Sequence, residues 1–148
     1  MRFSIAAAAA LCGAIATTTA APTAPSTGAP DPASYENIDI ADLTVRKNDG
    51  VRSVSFKLSG DDAADLDCSA SDPGLPSDVI TCGGSKYRFA LYSGGESEFA
   101  LRIYHELGLA AGFYGEGEVP TYCHAGGNGP DDFVCSQVVP TTIVIDGQ

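Results

Sequence analysis

From Ile38 onward the chain alternates between apolar and polar positions. Ile38, Ile40, Leu43 and Val45 form a first run, and the spacing slips at Ala41-Asp42. Apolar side chains at every second position describe a strand with one buried face, and the slip predicts a β-bulge. Asn48-Asp49-Gly50 then reads as a hairpin turn, with glycine where a positive φ is wanted. Between Val51 and Ser59, Val54, Phe56 and Leu58 take one face while Ser53, Ser55 and Lys57 take the other. Tyr87, Phe89 and Leu91 alternate with Arg88 and Ala90, and Phe99, Leu101 and Ile103 with Arg102 and Tyr104. Leu107 to Val119 is less regular, interrupted by Gly108, Gly112, Gly115 and Gly117. Phe133 to Val139 and Thr142 to Ile145 supply two more strands, and the only helical candidate is a turn around Asp61 to Leu66. Short strands separated by Gly, Asn, Asp and Pro predict an all-β domain: a small antiparallel β-barrel or barrel-like sandwich. Closure into a barrel would also remove exposed edges.

The N-terminus departs from this pattern. Arg2 precedes an apolar run from Phe3 to Ala16, and Thr17 to Ala21 offers small residues for a signal peptidase. These features predict a signal peptide over residues 1–20, with cleavage after Ala20 or Ala21. The apolar run is too short to span a bilayer, and no later stretch reaches the length required. Residues 21–34 follow with four prolines among Ala, Ser and Thr, a composition that predicts a disordered leader. One folded domain over 35–148 remains. Removing the signal peptide leaves 128 residues with four cysteines, and seven basic against 19 acidic side chains for a formal charge of −12. Such a charge excludes a nucleic-acid partner, and the scattered cations make no membrane patch. A basic partner surface suits it better.

Four cysteines in an exported chain predict two disulfides with three alternative pairings. Spacing favours the local ones, Cys68 with Cys82 and Cys123 with Cys135, and leaves the alternatives open. A bond between Cys123 and Cys135 would close a loop holding three glycines, a proline and the pair Asp131-Asp132. That loop has too little side-chain volume to hold itself by packing. On the chain-entropy model, closing a loop of this size stabilises the fold by about 3 kcal/mol. No Asn-x-Ser/Thr sequon occurs, because Asn37, Asn48 and Asn128 are followed two residues on by Asp, Gly and Pro.

Catalytic chemistry finds little purchase here. There are two histidines, His105 and His124, and no Gly-x-Ser-x-Gly around any serine. His105 reads as an ordinary residue at a strand end, and His124 as a loop residue near solvent. Gly126 to Val134 fits the calcium-binding nonapeptide pattern, but that pattern works by tandem stacking and appears once. The aspartates Asp61, Asp62, Asp65 and Asp67 lack EF-hand spacing. Glu96 with Glu98, or Glu116 with Glu118, share a strand face instead of facing across a cleft, which speaks against a cell-wall hydrolase. The expectation is therefore no catalytic residues, no metal and no cofactor.

The run Tyr122 to Cys135, Tyr-Cys-His-Ala-Gly-Gly-Asn-Gly-Pro-Asp-Asp-Phe-Val-Cys, closely resembles a signature of the secreted fungal family typified by the major Alternaria allergen. The family form is Tyr-Cys-Arg-Ala-Gly-Gly-Asn-Gly-Pro-Lys-Asp-Phe-Val-Cys. Leu66 to Ala70 with Cys82-Gly83, and Ile40 to Leu43 with Arg46-Lys47, are similar to other parts of it. The resemblance runs from about Ile38 to Ile145. It implies an antiparallel barrel with both local disulfides and no established enzyme activity. Members are allergens and secreted elicitors of plant defence or cell death, some acting through pathogenesis-related proteins, so the implied partner is a host plant protein met in the apoplast. The alternative it implies is a small-ligand carrier, holding a flavonoid-like molecule in the barrel or at a dimer seam. The family's inter-protomer cysteine has no counterpart among Ala33 to Glu36, so any homodimer would be non-covalent. His124 stands for a family arginine and Asp131 for a lysine, which makes this loop more acidic. The expected partner-binding loop presents His124, Asn128, Asp131 and Asp132 on a rigid turn.

Overall fold

The computed structural model describes residues 34–147, so the segments read as signal peptide and leader lie outside it except for Ser34. Among the described residues every regular element is a strand. These are β1 (Tyr35–Lys47), β2 (Val51–Gly60), β3 (Ala63–Ser71), β4 (Ile80–Thr81), β5 (Tyr87–Ser93), β6 (Phe99–Gly108), β7 (Ala111–Val119), β8 (Thr121–Ala125), β9 (Phe133–Gln137) and β10 (Thr141–Asp146). The hydrogen-bonded order is β3-β2-β1-β10-β7-β6-β5-β4, and the β8–β9 hairpin joins through β9 to β1. All pairings are antiparallel.

That order makes a nearly closed eight-stranded barrel whose seam lies between β3 and β4. A disulfide spans it. Cys68 on β3 is bonded to Cys82, just past β4, with Cα atoms 4.5 Å apart. A covalent bond thus holds the two edges side by side where no ladder joins them. The second disulfide, Cys123–Cys135, sits inside the β8–β9 ladder, where the two residues are directly paired.

The bulge read at Ala41-Asp42 is present. Register shifts between Ala41 and Thr44, and Asp42 adopts φ 56°. It also explains why β1 takes two neighbours on one side. Tyr35–Ile40 pair with β10, while Thr44–Lys47 pair with β9. At the jog the Gln137 amide substitutes for the ladder: Leu43 N–H donates to its Oε1 at 3.0 Å, and its Nε2 donates to the Ile40 and Val139 carbonyls.

The inner face is apolar. Ile38, Ile40, Val45, Val54, Phe56, Leu58, Phe89, Leu101 and Ile103 are all buried, and Phe56 meets Phe89 edge to face at 4.9 Å. Each fully buried side chain of this kind contributes about 1.5–3 kcal/mol. The barrel interior is therefore a packed core with side chains along its axis.

Three readings need correction. The turn expected over Asp61 to Leu66 is confined to Asp61-Asp62, and Leu66 lies within β3. Leu66, Cys68 and Ala70 face inward there, but intervening Asp and Ser hide the alternation. Leu107 to Val119, expected to be irregular, contains the whole of β7 in a long ladder with β6. Its glycines serve close approach: a Cβ on Gly115 would lie 2.1 Å from the Val144 carbonyl oxygen on β10. His105, read as an edge residue, is buried at 2 % exposure.

Candidate functional site: a stapled loop on a braced frame

Residues 126–132 join β8 to β9 as a tight polar loop above the Cys123–Cys135 bond. Gly126 N–H donates to the Asp132 carbonyl at 2.7 Å, closing the base. Gly127 and Gly129 adopt φ 93° and 132°, a region L side chains rarely enter. Gly126 leaves space for Asp132, since a Cβ there would meet the carboxylate Oδ2 at 2.4 Å.

Asp132 organises the loop from within. Its carboxylate accepts from Asn128 N–H at 2.9 Å and takes both Arg46 Nε and a terminal Arg46 nitrogen, at 3.2 and 3.1 Å. The two-pronged geometry is the strong form of this ion pair. The Arg46 guanidinium, followed by the Asn128 amide, holds the Asp132 carboxyl below the usual carboxylate range. The expectation that four side chains of this loop are exposed is thus corrected at one position. Asp132 is 1 % exposed and faces inward, because only there can it satisfy both the loop amide and Arg46. His124, Asn128 and Asp131 are exposed, but His124, read as a loop residue, lies on β8 opposite Val134 because the ladder runs past Cys123; Asp131 lines a groove of about 290 Å³ with Lys47, Asp49, Gly50 and Phe133.

Glu98 braces the other side of the staple. One carboxylate oxygen is paired with Lys47, while the other lies 2.8 Å from Cys123 Sγ and 3.8 Å from Cys135 Sγ. With both sulfurs in a disulfide this is no set of metal ligands. The loop before Glu98 is held by Glu118, whose carboxylate accepts from the Gly95, Glu96 and Ser97 amides at 2.6, 3.0 and 2.7 Å. Those amides, Ser97 first, hold the Glu118 carboxyl below its ordinary range.

A second polar cluster lies inside the barrel. Glu36 accepts from the Tyr87 hydroxyl and the Asp61 amide through Oε1, at 2.6 and 2.8 Å, and its Oε2 lies 2.6 Å from His105 Nδ1. The Tyr87 hydroxyl in turn accepts from Asp62 N–H at 3.0 Å, and its ring stacks on His105 at 4.1 Å. Burial, then the bond to Glu36, pushes the Tyr87 hydroxyl pKa well up. The cluster ties β1, β5, β6 and the 61–62 turn together. Reading the sequence missed it, along with Arg46, Glu98 and Glu118 as supports of the loops. Inward parity marked Glu36 and His105 as core positions, while nothing linear pairs Arg46 with Asp132, 86 residues away.

Residues 40–135 match the family model described as Alternaria alternata allergen 1. The chain belongs to that family. It is 67% identical over 150 residues to effector protein PevD1 of Verticillium dahliae, an alignment covering 99% of this chain and 94% of that one. Crystal structures of the Alternaria alternata allergen Alt a 1 superpose with TM-scores of 0.63 and 0.61 at 28% and 26% identity. They cover 75% and 76% of this chain, and 88% and 94% of the respective allergen chains. Within the Alternaria allergen family form, this chain keeps the inward-facing Asp132 and the glycines. Its departures at His124 and Asp131 fall on exposed side chains.

Proposed function

We propose that this protein is a secreted fungal effector that acts without turnover, by binding a basic surface on a host plant protein in the apoplast. Charge distribution carries this reading. Among the described residues six of the seven lysines and arginines (Arg46, Lys47, Arg52, Lys57, Arg88 and Arg102) are already paired with carboxylates. Lys86 alone has no ion pair among them. The excess carboxylates therefore face solvent with little compensation, and a complementary partner is cationic. Likeness to an effector supports the biological setting, and the resemblance that suggested a pathogenesis-related protein supports the partner class. The stapled loop is the favoured contact surface, because a rigid turn loses little conformational entropy on binding.

The test compares the parent with His124→Ala/Asp131→Lys, which leaves buried Asp132 untouched. Both proteins are immobilised and exposed to purified basic host proteins and to whole apoplastic fluid, and infiltrated into leaves. Weaker retention and a weaker leaf response by the variant are expected. Equal retention of the same host protein would confine the loop to a structural role, and no retention by either would remove the effector reading.

One observation favours a second reading, small-ligand carriage. A groove of about 380 Å³ at the β6–β7 hairpin is lined by Tyr104, Phe113 and Tyr114 with Lys86 and Arg88. With the barrel interior filled, a flavonoid-like molecule would lie in this outer groove. Equilibrium dialysis against Tyr104→Ala separates the two readings, since the loop variant would leave such binding unchanged.

A further inference from the structure

The two disulfides sit in opposite environments. Cys68 and Cys82 are both buried, at 1 % and 0 % exposure. No reductant reaches either sulfur until the barrel seam opens. In the other bond Cys135 is fully buried while Cys123 is half-buried. An external thiolate can therefore attack only Cys123 Sγ from the folded state.

That attack meets two obstacles. The bond pair leaves with Cys135, which becomes a thiolate in the core, where a charge is poorly solvated. The Glu98 carboxylate, 2.8 Å from Cys123 Sγ and 3.8 Å from Cys135 Sγ, also places a negative charge, partly offset by Lys47, beside the sulfur under attack. Its position is enforced, since Lys47 holds its other oxygen and Glu118 fixes the amides of residues 95–97 just before it. Exposed Asp131 adds a further negative charge in the same hairpin loop.

We propose that Cys123–Cys135 is a charge-selected thiol-exchange site, in which Glu98 repels anionic thiols and favours thiols that carry a cationic group. In the first step a thiolate bonds to Cys123 Sγ and expels Cys135 as its thiolate, giving a mixed disulfide. In the second, another reductant thiolate attacks the reductant's sulfur in that mixed disulfide and frees Cys123. The reductant leaves as its symmetrical disulfide, two electrons have passed to the protein, and both cysteine thiolates take protons from water. The loop staple thus withstands anionic peptide thiols and opens to cationic ones. This inference stands apart from the partner-binding proposal.

The test uses the intact folded protein and three small thiols: 2-mercaptoethanesulfonate, 2-mercaptoethanol and cysteamine. Alkylation and peptide mapping follow each disulfide separately, with rates divided by the thiolate fraction. The parent should react at Cys123–Cys135 fastest with cysteamine and slowest with the sulfonate, while Cys68–Cys82 reacts slowly with all three. Glu98→Gln should narrow the cysteamine-to-sulfonate ratio by up to about thirtyfold, because the two probes differ by two units of charge and each unit at 4 Å in water is worth about fivefold. Asp78→Asn, which makes the same change in net charge elsewhere, should leave the ratio unchanged. Screening the parent with about 0.5 M NaCl should also compress the ratio without any substitution, so a poorly folding variant does not end the test. A parent that shows no ordering of the three thiols overturns the proposal. So does an unscreened ratio at high salt, or equal compression by Asp78→Asn and Glu98→Gln.

Discussion

Replacing Tyr87 with phenylalanine probes the buried cluster with one atom. The hydroxyl donates to Glu36 at 2.6 Å and accepts from Asp62 N–H at 3.0 Å, and Tyr87 is fully buried. Loss of a hydrogen bond to a charged acceptor costs about 1.5–3 kcal/mol, and the stranded Asp62 amide raises the total to about 2–4 kcal/mol. Glu36 keeps its bonds to His105 and the Asp61 amide, so the variant should still fold. For a domain of this size the melting temperature should fall by roughly 8–15 °C at pH 8. Alkali supplies a second, sharper readout. The hydroxyl pKa is raised in the folded state by burial and by Glu36, so its contribution is fully present below the unfolded tyrosine pKa, about 10. It is lost as pH rises beyond that point, because the unfolded chain releases a proton the folded one retains. The stability gap between parent and Tyr87→Phe should therefore be constant from pH 7 to 9, then shrink by at most about 1.4 kcal/mol per pH unit. Urea unfolding of both proteins across this range, with disulfides intact, measures it. A gap below about 0.5 kcal/mol at pH 8, or one that widens in alkali, would refute the argument.

Three further outcomes are expected. Asp132→Asn, which weakens the carboxylate's hold on Arg46 and on the Asn128 amide, should speed exchange of the Asn128 amide with deuterium while Asp131→Asn leaves it protected; in the parent that protection should persist above the unfolded aspartate pKa and fade as acid protonates the depressed Asp132 carboxyl. Gln137→Ala removes three side-chain bonds, two of which bridge the β1 bulge, and should lower stability by about 1–3 kcal/mol in urea unfolding, leaving both disulfides formed. Gly115→Ala places a methyl against the Val144 backbone, which cannot swing aside like a side chain, so it should destabilise the β7–β10 contact by about 1–3 kcal/mol and speed exchange of β10 amides.

Where one face of a strand carried the apolar set, the sequence disclosed the strand directly. Val54, Phe56 and Leu58 are buried with polar neighbours between them, and the Ala41-Asp42 slip is a bulge. Where inward positions were small or polar, the same logic was present but masked. β3 turns Ala63, Leu66, Cys68 and Ala70 toward the core, and among aspartates and serines they do not stand out. In β7 the glycines resemble breakers, although Gly115 is needed because a neighbouring backbone occupies the space of its side chain.

The charged core residues show the limit most plainly. Glu36 continues the parity of Ile38 and Ile40, and His105 continues that of Leu101 and Ile103, so alternation alone places both indoors. Chemical type argues the opposite, because a lone buried carboxylate is strongly unfavourable. The conflict resolves only when the two are seen together with Tyr87. β5–β6 register sets Tyr87 directly opposite His105, and β1 brings Glu36 within 2.6 Å of both. Asp132 obeys the same rule: loop composition puts it outside, and Arg46 draws it in. Long-range pairing makes both placements tolerable, and no local pattern encodes a partner 69 or 86 residues away. Exposed Asp131 in the same loop has no buried partner to satisfy among the described residues, so composition alone places it correctly.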